Sequence, residues 1–362
     1  ESRTVLASFA KVFPKSTLLP ESQLAIARTH VMDGSWVSSI IEYDRWVTNY
    51  PAHPALPQAE FDRAWLNHQA GNRARAFQLF TNYVVRFPTN SLAPVAQKWI
   101  ADHQFQSGKF AEAEQGYRRL FENPNLLANA RGMEWEARLN AGRSAFFRQE
   151  HAAAGLLLAS VINATNAPVA EQARAEFYLG DVAADQTQRT PTNLLDALPH
   201  YQRVADEMTG SPLHSLAWGR VGDCHLQLGN LDPAAEAYRT VTDLPSADIT
   251  TPSQAGLGLA RVLEEQAALA GETEEREELL QQSLYQCMEI VFGGNLRSAS
   301  EKMDPFWVKE AGLMAGHLAA RLGRAEQERR VYSRLAKELP DMTLWQAKLD
   351  ALQARPEAPK AP

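Results

Sequence analysis

The chain has 362 residues, of which 45% are hydrophobic and 22% are charged, and its formal net charge is -7 at pH 7. An acidic chain lacks the basic face with which proteins displace counterions from nucleic acid, so this composition argues against a nucleic-acid partner. It also argues against general attraction to an anionic membrane. No apolar stretch reaches the roughly 20 residues that a membrane-spanning helix needs.

The first predicted element is a helix from Thr4 to Phe13, which ends at Pro14. Phe9 and Pro14 stand at positions that later segments use at the end of a second helix. We therefore expect residues 1–19 to form the trailing helix of a repeat whose first helix lies upstream. Such an upstream segment is one route by which the protein would associate with a membrane.

The same ending recurs at Pro51 and Pro88, and each proline follows the previous one by 37 residues. Proline cannot continue a helix and marks its end. A glycine precedes the second and third prolines by 17 residues, and one more follows at the same 37-residue interval. Glycine is common where a helix ends at positive φ, so these residues predict the turns inside helical pairs: Gly34, Gly71 and Gly108.

A small residue recurs in the first helix of each predicted pair, where two helices cross closely. An alanine and an aromatic residue four positions apart then share one face of the second helix and pack back on the first. This pattern predicts about eight helix–turn–helix units between residues 20 and 340. The small residues, called anchors below, are Ala27, Ala64, Ala101, Gly142, Gly180, Gly222, Gly258 and Gly316.

Three insertions lengthen the later units. We expect a polar loop at 185–193, an acidic loop at 271–278 and a long connector at 293–304. A last amphipathic helix is predicted within 341–355, where it would cap the final unit. The Pro/Ala-rich tail at 356–362 is expected to be disordered.

The segment from Trp218 to Tyr238 follows the pattern W-x2-L-G-x2-Y and then A-x3-F, with Val221 for the leucine, His225 for the first tyrosine and Tyr238 for the phenylalanine. It resembles the tetratricopeptide repeat. The resemblance implies an all-α chain: a right-handed α-α superhelix, or solenoid, of about eight units, with a leading half-unit and a C-terminal capping helix.

The early repeats add a narrower resemblance. The residues from Phe87 to Ser91, then Gly108 to Ala113, and then Tyr117 are similar to bacterial envelope proteins of this repeat family. Those include the outer-membrane assembly lipoprotein and a Tol-Pal-associated protein. The resemblance covers mainly residues 13–125. It implies an exported, non-enzymatic adaptor inside a larger complex, located in the periplasm or cell envelope, with the cytoplasm as the alternative.

No phosphate-binding loop, dinucleotide fingerprint or zinc-protease motif occurs in the sequence. The nine histidines are scattered, and the two cysteines, Cys224 and Cys287, are far apart. Buried apolar roles are expected for both, with a disulfide or a reactive thiol as the alternative. The sequence therefore predicts no catalytic residue, no cofactor and no metal site, and the protein is expected not to be an enzyme.

First helices line the concave groove of such repeats, so side chains near each anchor are candidates for binding a partner. They are a mixture of aromatic and charged residues, which suits a peptide held by aromatic anchors and ion pairs. Packing between neighbouring repeats is the alternative role for each aromatic residue. The candidates are Arg28, Trp65, His68, Asp102, Phe105, Arg143, Phe146, Phe177, Asp181 and Asp223.

The sequence thus predicts a scaffold or adaptor that binds a peptide or a partner subunit, within a larger complex. Two alternatives stay open. In the first alternative, the chain is a module that binds a small ligand or glycan. In the second, it is an accessory domain of a larger enzyme. Whether the concave groove or the convex face binds is also left open.

Overall fold

The computed structural model describes residues 2–130, 132–185, 191–244, 250–271, 274–298, 300–340 and 342–353. Within these ranges the regular structure is helical, and they contain no strand. Contacts divide the chain into two compact units, Glu1–Ala175 and Glu176–Pro362, called unit 1 and unit 2.

Unit 1 contains ten helices in its described residues, and an eleventh begins in it and runs into unit 2. They are α1 Ser2–Val12, α2 Leu19–Met32, α3 Trp36–Asn49, α4 Leu56–Gln69, α5 Arg73–Arg86, α6 Ala93–Gln106, α7 Phe110–Glu122, α8 Pro124–Leu127, α9 Glu134–Phe147, α10 His151–Ile162 and α11 Val169–Ala184.

The remaining helices of the described chain belong to unit 2. They are α12 Pro191–Glu207, α13 His214–Gln227, α14 Leu231–Asp243, α15 Thr250–Leu269, α16 Glu274–Phe292, α17 Pro305–Arg321, α18 Ala325–Glu338 and α19 Leu344–Gln353.

Consecutive helices pack on one another within each unit, and this confirms the predicted all-α solenoid fold. Among the described residues, eight pairs follow α1, and α19 packs on the last of them. The first helices of the pairs are α2, α4, α6, α9, α11, α13, α15 and α17. The second helices are α3, α5, α7, α10, α12, α14, α16 and α18.

The predicted turn glycines adopt the left-handed conformation, with φ of 70° at Gly34 and 80° at Gly71. The N–H of Ser35 bonds to the carbonyl of His30 at 2.9 Å, the six-to-one bond that closes such a helix end. In the turn between α9 and α10 this position is held by Gln149, at a φ of 62°. That conformation is strained for a residue with a Cβ atom.

Second helices supply most of the largest fully buried side chains. Tyr43, Trp46 and Phe80 have 1%, 0% and 0% of their surface exposed. The Trp46 indole donates to the carbonyl of Pro20 at 2.7 Å, so this ring is anchored as well as buried. Trp345 of α19 is fully buried in the last core cluster, which places the C-terminal helix over the final pair.

Two predicted loops are shorter than expected. Helix α12 begins at Pro191, inside the predicted loop 185–193, because proline is favoured in the first turn of a helix. Helix α16 begins at Glu274, inside the predicted loop 271–278. Its first turn holds three glutamates, which the helix dipole stabilises there. Residues 186–190 and 272–273 lie outside the described residues, as does the tail 356–362.

Both cysteines are free and buried, as expected, with 3% of Cys224 and none of Cys287 exposed. Burial raises the pKa of Cys224 to about 11 and that of Cys287 to about 12. The thiolate is the reactive form, so neither side chain is a nucleophile at neutral pH.

Candidate partner-binding surface

A tyrosine of the second helix lies directly against the glycine anchor of the first helix in unit 2. A methyl group placed on Gly180 would come within 2.7 Å of the Tyr201 ring, and one on Gly222 within 2.6 Å of the Tyr238 ring. Tyr238 also contacts Gly258 of the next first helix, so two glycines enclose one ring. These contacts require residues without a side chain.

The anchor glycine brings the tyrosine hydroxyl within reach of the next residue of the first helix. Tyr201 donates to Asp181 and Tyr238 donates to Asp223, each at 2.7 Å. In unit 1, Tyr117 donates to Asp102 at the same distance, although the anchor there is Ala101. A nearly buried phenol therefore fixes the orientation of a partly exposed carboxylate in three repeats.

Arg220 of α13 lies between two of these carboxylates. Its Nε is 3.6 Å from Asp181 and its Nη1 is 3.7 Å from Asp223. The guanidinium also lies 6.0 Å from the centre of the Phe177 ring. The amide of Gln254 approaches the second oxygen of Asp223 at 3.4 Å. We call Asp181, Arg220, Asp223 and Gln254 the charged row.

Burial is the strongest influence on the two carboxylates of the charged row, and the net effect is to raise the pKa of each. Desolvation raises the pKa of Asp181 and of Asp223, while Arg220 and the tyrosine hydroxyls act in the opposite direction. The Nε atom of Arg220 is buried, and no acceptor among the described residues makes a hydrogen bond with it. Its nearest charged neighbour is Asp181 at 3.6 Å, and the Arg220 side chain as a whole is 39% exposed, so a partner would reach the exposed part of this side chain and not its Nε atom.

The predicted residues of unit 1 fall into separate groups. Trp65 is 40% exposed, stacks parallel to Phe61 at 6.5 Å between ring centres and meets His68 edge-on at 5.4 Å. His68 in turn contacts Trp99 at 5.3 Å. Arg28 is exposed and interacts with the Tyr43 hydroxyl.

Asp102 is tied to the basic side chain of Lys98, which is 3.0 Å from Asp102 and 3.1 Å from Glu136. Arg143 lies 5.2 Å from the centre of the Phe105 ring. Phe105 contacts Phe147, which is half exposed.

Phe146 lies next to this pair, at 5.7 Å from Phe147 and 6.0 Å from His151. The structure therefore brings together Trp65 with His68, Phe105 with Arg143, and the unit 2 residues around Arg220. Phe177 is only 3% exposed and packs on Tyr201, so a partner would meet Arg220 above it instead of its ring.

Sequence reasoning missed Arg220, which precedes its anchor by two positions, and the tyrosine partners of the three aspartates. The signal was present, since Asp102 and Asp223 each precede their tyrosine by 15 residues. Within the described part of the chain, no group of three or more His, Cys, Asp or Glu side chains is placed to hold a metal ion. Nor is any described helix both long enough and apolar enough to cross a membrane.

Residues 192–248, which include α13 and α14, match the family model of the tetratricopeptide repeat. The chain has the fold of tetratricopeptide repeat proteins. No curated protein matches its sequence.

Two solved structures support this fold. The C-terminal part of a tetratricopeptide repeat-containing protein from Cytophaga hutchinsonii is 11% identical, with a TM-score of 0.53, over 80% of this chain and 99% of that one. A STAND signal transduction ATPase with a tetratricopeptide repeat sensor, from Pyrococcus horikoshii, is 13% identical, with a TM-score of 0.54, over 97% of this chain and 54% of that one. A tetratricopeptide repeat protein from Parabacteroides merdae is 12% identical over 92% of this chain and 98% of its own, with a TM-score of 0.41.

Proposed function

We propose that this protein is a non-catalytic scaffold or adaptor that binds a peptide segment or subunit of a protein partner on its first helices. The charged row of unit 2 carries this proposal. It presents two carboxylates oriented by tyrosine hydroxyls and, between them, an arginine side chain that is 39% exposed. An extended peptide offers both carbonyl oxygens and N–H groups to such an arrangement.

The energetics favour binding of this kind. The carboxylates of Asp181 and Asp223 are 20% and 29% exposed, so a partner reaches them without moving the core. Their tyrosine hydrogen bonds are already formed, which lowers the entropy lost on binding. Arginine is enriched among the residues that dominate interface energies, and Arg220 lies between the two aspartates.

In unit 1 we assign the same role to a more aromatic surface. Trp65 with His68, and Arg143 with Phe105, offer flat apolar faces beside charges, which suits side chains of a bound segment. Asp102 adds a carboxylate oriented by Tyr117. Arg28, Phe146 and Phe177 remain sequence-based candidates.

The proposed setting is a bacterial cell-envelope complex, in the periplasm. It is supported by the resemblance of residues 13–125 to envelope adaptors, and the cytoplasm is the alternative. Fractionation of native cells tests it directly. Recovery of the protein in the cytosolic fraction, without a stable envelope partner, would end this part of the proposal.

Site-specific photocrosslinking tests the binding surface. A benzoylphenylalanine at Gln254 reports on the charged row, and one at Asp196, an exposed residue of α12, is the matched control. We expect a discrete crosslinked partner in native extract from position 254 only. The double variant Asp181→Asn with Arg220→Gln should remove it.

The result is decisive in both directions. Equal crosslinking from both positions would show that the charged row has no special role. A crosslink at Gln254 that survives the double variant would show that these charges do not bind the partner. Circular dichroism of the variant checks that its helices are intact.

A second candidate function is ligand stacking on Trp65, which is exposed and held parallel to Phe61. Thermal-shift screening against glycans would show stabilisation that Trp65→Ala removes. If only peptides shift the melting temperature, this candidate fails.

A third candidate is that this chain is an accessory domain of a larger enzyme. It is favoured by the Pyrococcus horikoshii ATPase, in which a tetratricopeptide repeat sensor shares this fold. The coding sequence around this chain decides it: a catalytic domain in the same reading frame would support it.

A further inference from the structure

A cleft of about 750 Å³ lies on the opposite set of helices, within unit 2. It is bordered by the second helices α14, α16 and α18 and by part of α15. None of the residues that form the charged row lines it. Its volume is within the range of ligand-binding clefts, roughly 300–1,000 Å³.

Three arginines from different segments line this cleft: Arg239 of α14, Arg324 in the turn before α18 and Arg330 of α18. No carboxylate oxygen of a described residue lies within 4.0 Å of their guanidinium groups. Two glutamates, Glu278 and Glu289, also line the cleft, so three cations stand against two anions there. The lining of the cleft is therefore net positive, whereas the whole chain has a net charge of -7.

Exposed aromatic rings lie beside these cations. Tyr285 of α16 is 59% exposed and Phe292, at the end of the same helix, is 36% exposed. The guanidinium of Arg330 is 5.6 Å from the centre of the Phe292 ring. An exposed aromatic surface flanked by arginine is the composition found at the energetic centre of protein interfaces.

We propose that this cleft binds an acidic peptide segment of a protein partner that also carries an aromatic or aliphatic side chain. The acidic groups pair with Arg239, Arg324 and Arg330, and the apolar side chain covers Tyr285 and Phe292. A small anion fits less well, because enclosed sites bury most of a small ligand and here Tyr285 stands largely in solvent. The proposal is independent of the charged row on the first helices.

Fluorescence anisotropy with three labelled synthetic peptides tests the cleft. The first peptide carries glutamates and two phenylalanines, the second replaces each glutamate by lysine, and the third replaces each phenylalanine by serine. We expect the intact protein to bind the first peptide, to ignore the second and to bind the third at least about ten-fold more weakly. Binding of the first should also weaken as salt is raised.

Matched variants locate the site. The change Arg324→Ala with Arg330→Ala should weaken the first peptide at least about ten-fold. The control is Arg329→Ala, on the same helix next to Arg330, where the side chain is exposed, pairs with Glu326 at 3.6 Å and does not line the cleft. Tyr285→Ser provides an independent variant on α16, and it leaves the core intact because the Tyr285 side chain is 59% exposed.

Several outcomes would overturn the proposal. They are no binding of the first peptide, equal loss in the Arg329→Ala control, and equal affinity for the serine peptide, which would indicate a plain electrostatic surface. Full competition by inorganic pyrophosphate alone would identify a small-anion site instead. Loss of peptide binding in the charged-row variant, with the cleft variants unaffected, would place the peptide on the first helices and likewise overturn it.

Discussion

The two units solve the same packing problem with different residues. In unit 1 the first three anchors are alanines, and the facing positions hold small groups: Ser39 donates to the carbonyl of Ala27, and Gly116 lies against Ala101. In unit 2 the anchors are glycines that face tyrosine rings. Gly142 of unit 1 is intermediate, since it faces Leu158.

This difference has a functional consequence. A glycine in the crossing lets the tyrosine approach the first helix closely, and its hydroxyl then reaches the aspartate that follows the anchor. In unit 2 the glycine is the anchor itself, whereas beside Tyr117 of unit 1 it is Gly116 of the second helix, which faces Ala101. The unit 2 arrangement occurs in two adjacent pairs, and Arg220 lies between the resulting carboxylates. The close packing of the core therefore determines how charges are presented on the surface.

The largest effect is expected from exchanging the anchors. Gly222→Ala together with Gly258→Ala should destabilise the protein by about 2–4 kcal/mol, because both methyl groups collide with the buried Tyr238 ring. Ala64→Gly in unit 1 should cost only about 1 kcal/mol, from lost helix propensity. Urea unfolding followed by circular dichroism measures both. Stabilisation by the two alanines would show that their close approach is not a constraint.

A smaller loss is expected from removing a tyrosine hydroxyl. Tyr238→Phe should cost about 1–2 kcal/mol, since it removes a hydrogen bond to Asp223, whose other contacts are as long as 3.4 Å and 3.7 Å. Tyr117→Phe should cost less, because Asp102 keeps the ammonium group of Lys98 at 3.0 Å. Equal losses of stability in the two variants would mean that the ammonium group of Lys98 does not compensate for the lost hydrogen bond to Asp102.

The pH dependence sharpens the comparison further. The pKa values of Asp181 and Asp223 are raised by burial, so the folded state holds protons more tightly than the unfolded state. Stability from these groups is therefore greatest below the unfolded pKa, near 4, and falls as pH rises through the folded pKa. Replacing both aspartates by asparagine should remove this decrease in stability. The melting temperature of the double variant should therefore rise relative to that of the parent protein as pH increases.

Exposed Asp196→Asn is the control for loss of a surface charge in that experiment. A double variant whose melting temperature follows the parent at every pH would contradict the prediction. Tyr238 still has an acceptor in the variant, because the side-chain carbonyl of Asn accepts its hydrogen bond.

The smallest effect is expected at a turn of unit 1. Gln149→Gly should stabilise the protein by about 0.5–1 kcal/mol, because a φ of 62° costs glycine little. Gly71→Ala should destabilise the protein because alanine is strained at a φ of 80°. No atom lies within 4 Å of the added methyl group, so the loss would come from the backbone conformation alone. Melting temperatures of the two variants in opposite directions would confirm that turn conformation alone is responsible.

Much of the fold followed from local signals. Turn glycines such as Gly34, small anchors and terminal prolines predicted the helical pairs, because a left-handed turn or a close crossing admits few residue types. The two errors came from loops whose polar residues turned out to begin helices. At Glu274 the helix dipole stabilises the acidic residues that had indicated a loop.

The sequence by itself determined the repeat, its turns and which residues follow each anchor. Tertiary structure alone decided which charges meet: Arg220 approaches Asp181 of a different helix, and Tyr43 donates to Asp62 of the next pair at 3.1 Å. It also brought Arg239 and Arg330, distant in sequence, to one cleft. The physical reason is that helix periodicity fixes neighbours within a helix, whereas contacts between helices depend on crossing geometry and side-chain rotamers.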